Sequence, residues 1–187
     1  MRELVYYVAT SIDGYIAGPA GQFDAFVFEG DHAAAQLERF PDAIPTDAAA
    51  HLGIDQTTGR FSTVLMGWNT YAVGGLDSPY RHLEQIVFSR TRTATAENLR
   101  TTDADPRDVI RDLRTQPGGD IWLCGGGDLA AHLVDEIDRI IIKRQPVLFR
   151  SGIPLFGRSD YAPLHLDVVE STTFDTGVTI TEYARAR

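Results

Sequence analysis

IWLCGGGDLAAH, residues Ile121–His132, is the stretch on which the reading of this chain turns. Four apolar residues, Ile121–Cys124, stop at three consecutive glycines. Beyond them Leu129, Ala130, Leu133 and Val134 recur at helical spacing. The pattern predicts a buried strand, a tight glycine turn and a helix that begins near Asp128. Glycine permits positive φ and lets a ligand or another backbone come close. The start of a helix offers unpaired N–H groups and the positive end of the macrodipole, which suit an anion such as a phosphate. Taken alone the run admits a plainer reading, a sharp turn with no ligand, because it matches neither the G-x-G-x-x-G fingerprint nor the P-loop pattern.

Elements on either side frame this unit. Leu4–Ala9 is apolar throughout, as a central strand covered on both faces would be. It runs into the Asp13-Gly14 turn, a brief apolar return at Tyr15–Ala17, and the loop Gly18–Gln22. Between residues 24 and 60, Ala33, Leu37 and Phe40 suggest one helical face with Asp31 as N-cap. A short second helix is expected with Thr46 or Asp47 as its cap, and Gly53–Arg60 is loop. Phe61–Met66 predicts a strand, after which Gly67 opens a short helix; Gln85–Phe88 and Leu99–Thr102 predict two more strands. Asp105 or Pro106 starts a helix whose Val109, Ile110 and Leu113 face the core. After the glycine unit come a strand at Ile137–Ile142, the long loop Pro146–Gly157, and a terminal antiparallel hairpin of Leu164–Ser171 with Val178–Ala184. Strands alternating with helices, then paired terminal strands, mean an α/β fold on a mixed sheet.

The 187 residues, 43% hydrophobic and 23% charged, suit one domain spanning 1–187 with a substantial core. A net charge of −9 argues against nucleic acid or an anionic membrane as partner. The single cysteine, Cys124, rules out an internal disulfide and reads as a core thiol rather than a nucleophile. The amino terminus lacks the apolar length of a secretion signal, and no stretch approaches the ~20 residues of a membrane span. The expectation is a cytoplasmic protein. His32 and His51 lack ligand-like spacing to other His, Cys or carboxylates and read as solvated surface histidines; no metal site is expected.

Three strand ends then align: Met66–Thr70, Ser89–Thr91 and Cys124–Leu129. In a parallel sheet all three lie at the carboxyl edge, where ligands usually bind. Two glycine junctions with Arg90 beside them suit a dinucleotide. With VATSIDGYIAG (Val8–Gly18), VLMGWNTY (Val64–Tyr71), VFSR (Val87–Arg90), IWLCGGGDL (Ile121–Leu129) and PVLFRSGIPLFG (Pro146–Gly157) in this order, nearly the whole chain resembles the dihydrofolate-reductase-like superfamily. It is most similar there to the C-terminal reductase domain of the bifunctional riboflavin-biosynthesis deaminase–reductase and its stand-alone relatives.

The resemblance implies a three-layer fold around a mostly parallel sheet, an NADPH site and a homodimer. By position, Ala9 and Ile16 border the nicotinamide, while Gly67, Trp68, Asn69 and Thr70 meet the pyrophosphate and the adenosine side. Ser89 and Arg90 contact the ribose phosphate, and Gly125, Gly126, Gly127, Asp128 and Leu129 cradle the pyrophosphate, with Gly125–Gly126 a cis peptide. Two departures stand out. Trp68 replaces an arginine frequent in the family, leaving Arg90, with Arg92 near it, to set any NADPH preference. No acid in a W-x-x-P-x-D-type setting follows the first loop; Asp24 and Glu29 read as surface carboxylates, and no catalytic residue is identified. Asp13 is expected to fix its loop rather than titrate in catalysis. The implied function is an NADPH-dependent reductase transferring a hydride to a small, pteridine- or pyrimidine-like substrate. The alternative is an NADP(H)-binding sensor or scaffold without turnover.

Overall fold

The structure, a computed structural model, describes residues 1–186. In chain order it begins with strands Leu4–Thr10 (β1) and Tyr15–Ala17 (β2), then helices Asp31–Arg39 (α1) and Thr46–Leu52 (α2) separated by a 3-10 turn at Pro41–Ala43. Phe61–Gly67 (β3), Trp68–Ala72 (α3), Glu84–Phe88 (β4), Leu99–Thr102 (β5) and Pro106–Thr115 (α4) follow. The second half comprises Asp120–Gly125 (β6), Gly127–His132 (α5), Arg139–Arg144 (β7), Ile153–Pro154 (β8), Leu166–Thr173 (β9) and Thr179–Arg185 (β10).

Eight strands form one sheet in the order β5-β4-β3-β6-β1-β7-β10-β9, parallel from β5 to β7 and antiparallel from β7 to β9. β2 and β8 pair separately. The sheet is mixed, mostly parallel and flanked by helices, as expected. β1 lies inside it because its apolar residues alternate between two buried faces. Leu4, Tyr6 and Val8 meet α4 and α5 residues on one face; Val5 and Tyr7 meet Phe40, Trp122 and Tyr71 on the other. Burying each large side chain contributes roughly 1.5–3 kcal/mol. That packing holds α3 and α5, five and six residues long, which could not persist as isolated helices.

Several expectations need correction. Gly30, not Asp31, is the N-cap of α1 and makes no side-chain cap bond. Asp31 instead accepts hydrogen bonds from the backbone N–H of His32 and, at 2.7 Å, of Asp175. Pro45 caps α2, and the Thr46 hydroxyl pairs with His82 Nδ1. Phe40 is buried as expected, but the buried residue within α1 is His32, with Ala33 and Leu37 only half-buried. His32 is fully buried, not solvated: Nε2 meets the Val27 carbonyl and Nδ1 the Thr176 hydroxyl, each at 3.0 Å. Thr176 lies 144 residues away, beyond the reach of local pattern. β7 begins and ends two residues later than expected, because pairing with β1 runs from Val5–Arg139 to Thr10–Arg144. His51, in contrast, is exposed as expected.

Candidate functional site

β4, β3 and β6 are neighbours and parallel, so their carboxyl ends place Ser89, Gly67 and Gly125 along one edge. A Cβ on Gly67 would stand only 3.7 Å from Gly126 N and 3.8 Å from Gly125 O. The Thr70 hydroxyl lies 3.4 Å and Ile16 Cδ1 3.9 Å from where a Gly126 Cβ would be. Ile16, Gly67, Thr70, Gly125 and Gly126 therefore converge from three parts of the chain. Gly125 adopts φ 127°, open to glycine but strained for other residues, and the Gly125–Gly126 peptide is cis as the resemblance implies.

The remaining glycine faces elsewhere. A Cβ on Gly127 would come 2.2 Å from the Pro154 carbonyl oxygen, and the Gly127 carbonyl accepts from Gly157 N–H at 2.8 Å. Gly127 thus admits the backbone around β8 rather than opening on the cradle. Leu129 has its side chain in the core, while Asp128 and Asn69 are exposed. Because α3 and α5 are so short, their first N–H groups, rather than a macrodipole, are what this edge offers an anion.

Next to Gly67, Trp68 is half-buried and sets its ring edge-on to Tyr71, 5.5 Å away. The Arg92 guanidinium covers the Trp68 ring at 5.6 Å. Ser89 Oγ accepts from Arg92 N–H at 2.9 Å, which leaves its own O–H to donate. Arg90 is exposed beside it.

Two loops flank the end of β1. Asp13 accepts from the Ser11 hydroxyl at 2.7 Å and from the backbone N–H groups of Phe149 and Arg150. These bonds, the Ser11 hydroxyl first, hold its pKa below the usual carboxylate range, which fits a loop latch. Phe26 stacks on Phe149 at 5.0 Å, and Val27 N–H donates to Gln145 Oε1. Asp24 and Glu29 are exposed. Half-buried Ala9 lies opposite Lys143 in the β1–β7 register. Lys143 sets its ammonium 4.2 Å from the centre of the Tyr7 ring, and burial lowers its pKa to about 8. Across β1, burial pushes the Cys124 thiol up to about 12, so it is no nucleophile. The sequence reading missed Lys143 because it ended that strand at Ile142.

The donor set suits a phosphorylated nucleotide: open glycine backbones, the Thr70 and Ser89 hydroxyls, the Arg90 guanidinium and a tryptophan face. The 510 Å³ concavity around Arg2, Arg114 and Pro117 lies instead at the amino edge of the sheet. There Arg2 is bonded to Gly119, Leu113, Ser62 and Thr63, and Arg114 is paired with Glu136 and Asp138, so these cations are already engaged. Among the described residues no group of three or more His, Cys, Asp or Glu could hold a metal ion, and no helix is long and apolar enough to cross a membrane.

Known proteins agree with this architecture. The family model described as the RibD C-terminal domain matches residues 2–180. The uncharacterised protein YwjB of Bacillus subtilis (strain 168) is 29% identical over 164 residues, covering 83% of each chain. A crystal structure from Shewanella sp. PV-4, whose protein carries a provisional riboflavin-biosynthesis name, covers 100% of both chains at 27% identity and a TM-score of 0.72. The Thermotoga maritima diaminohydroxyphosphoribosylaminopyrimidine deaminase/5-amino-6-(5-phosphoribosylamino)uracil reductase is similar in fold at a TM-score of 0.67 and 15% identity, over 99% of this chain and 57% of that one.

Proposed function

Because the chain belongs to the RibD C-terminal domain family, we propose that it is an NADPH-dependent reductase that transfers a hydride to a small, pteridine- or pyrimidine-like ring. The observation that carries this reading is the meeting of Gly67 with Gly125 and Gly126 at the carboxyl edge, an open backbone cradle beside Thr70. A reductase-like role is common to the family; the name of the Thermotoga protein, a 5-amino-6-(5-phosphoribosylamino)uracil reductase, supports an acceptor that carries a pyrimidine ring. NADPH, when bound, would supply the hydride. Gly67, Thr70, Gly125 and Gly126 would hold its pyrophosphate, Trp68 its adenine, Ser89 and Arg90 its ribose phosphate, and Ala9 and Ile16 its nicotinamide. Gly127 and Leu129 would support that cradle from behind and Asp128 and Asn69 would line its rim. Near-attack positioning in such a crevice provides much of the acceleration of a hydride transfer.

Fluorescence titration with NADPH, followed by an acceptor screen reading loss of NADPH absorbance, tests the reading. Saturable binding with turnover is expected. Binding without turnover on any pteridine or pyrimidine would make the protein a sensor or scaffold, and no binding would overturn both readings. Gly126→Ala is the companion variant: Gly126 has φ −89°, so alanine fits the backbone, but the methyl group enters the cradle against Thr70. Its NADPH affinity should fall while its circular dichroism stays that of the wild type. Unchanged affinity would remove this turn from the cofactor site.

A homodimer completes the proposal. β9 is an edge strand with exposed Val168 and Val169, and edge strands of this kind need covering. Light scattering at micromolar concentration should give twice the 20.6 kDa chain mass; a monomer mass would refute the dimer.

A further inference from the structure

Lys143 is the only lysine in the chain; the other sixteen of its 17 basic residues are arginines. Arginine stays charged at any working pH, whereas an ammonium can release its proton when its surroundings favour the neutral amine. The one side-chain ammonium sits at the carboxyl edge of β7, opposite Ala9. Its other strand neighbour in register is Ile180, its ammonium lies over the Tyr7 ring, and Tyr7 packs on Phe40 and Trp122. Burial is the main influence on it, with the Cys124 thiol second; Glu182, two residues along β10 from Ile180, is already paired with Arg139. The aromatic contact compensates in part for lost water but removes no charge. Ala9 presents only a methyl group beside it, and both residues are half-buried rather than closed off.

We propose that the Lys143 ammonium meets the acceptor in the reductase site and delivers the proton that accompanies the hydride. The proposal rests on the reductase reading above. It assigns the substrate class as rings with a C=N or C=O group whose heteroatom faces Nζ. As the acceptor carbon gains its new C–H bond, the π pair moves to that heteroatom, which takes a proton from Nζ. The neutral amine then regains a proton from water, so each turnover consumes one hydride equivalent and one proton. Burial brings the ammonium to about 8, within reach of the ideal for an acid working near neutrality. The titratable groups on this face include Tyr7, Cys124 and Tyr80, His32 from α1 and Glu182 from β10, the last engaged by Arg139, with Arg39 and Asp42 acting on Tyr7 from α1 and the turn after it. The phenols and the thiol are all pushed up by burial, so none offers a counter-charge near pH 8.

Incorporation of 13C,15N-lysine gives a single side-chain signal, since there is one lysine. It should titrate near 8 in the free protein; titration above 10, the ordinary lysine range, overturns the proposal without reference to turnover. In kinetics, Lys143→Met should bind NADPH as the wild type does but lose roughly 10²–10⁴-fold in kcat. Lys143→Arg should keep the KM and lose kcat, because a guanidinium holds the acceptor yet releases no proton. Wild-type kcat should fall as pH rises through about 8, and that limb should be absent from both variants. A wild type that turns over alongside an equally active Lys143→Met or Lys143→Arg variant overturns this assignment alone. A wild type that binds NADPH and reduces no acceptor overturns the reductase reading together with it.

Discussion

Alanine at position 127 should lower the melting temperature well below that of the Gly126→Ala variant, although the two sites are adjacent. The added methyl at Gly127 would sit 2.2 Å from the Pro154 carbonyl oxygen and 3.4 Å from Gly157 N. Both are backbone atoms, tied to Gly127 by the Gly157 N–H bond and to the first loop by the bond from Leu155 N–H to the Gly14 carbonyl. Neither can swing aside as a side chain would. Overpacking of this kind costs typically 1–3 kcal/mol and more where the obstacle is rigid. For a protein of this size that is a drop of roughly 3–10 °C. Differential scanning calorimetry of the two variants checks it. Equal melting temperatures would mean that the β8 loop yields freely, and the close approach of its backbone to α5 would not be what requires glycine at 127.

Arg90→Ala should weaken NADPH roughly 10- to 100-fold and NADH far less, since a hydrogen bond to a charged group is worth about 1.5–3 kcal/mol. With tryptophan at position 68, the cations left at this corner are Arg90, which is exposed, and Arg92, which lies over the Trp68 ring. Ser89 organises both by accepting the Thr91 and Arg92 N–H groups. Arg92→Ala should cost less for NADPH and act on both cofactors alike, by loosening the ring on which an adenine would stack. Calorimetric titration of both cofactors against both variants separates the roles. Equal losses of NADPH and NADH in Arg90→Ala would sink the phosphate assignment.

Sequence alone determined the parts of this protein whose cause is local. The unbroken apolar run of β1 announced a strand buried on both faces, and Leu4–Val8 are buried to within 8% exposure. The glycines at 67 and 125–127 announced where strands end, and Asp105 caps α4 through the N–H of Arg107 as its position before Pro106 suggested. The Asp13-Gly14 turn announced a fixed loop, and Asp13 is the latch. From the order of these signals the mixed sheet could be read, and with it the carboxyl edge that gathers Gly67, Ser89 and Gly125.

Tertiary structure decided what depends on partners far along the chain. His32 looks solvated among polar neighbours, yet Thr176, 144 residues away, and the Val27 carbonyl close over it. Three glycines in a row look alike, but only Gly127 has the backbone of Pro154 against it. The apolar pattern of β7 stops at Ile142, while its hydrogen-bonded pairing with β1 runs on to Arg144 and sets Lys143 opposite Ala9. The physical reason is the same in each case. Periodicity and turn chemistry act between residues a few positions apart, whereas burial of a polar group, close approach of two backbones and strand register are fixed by whichever distant segment supplies the missing atoms.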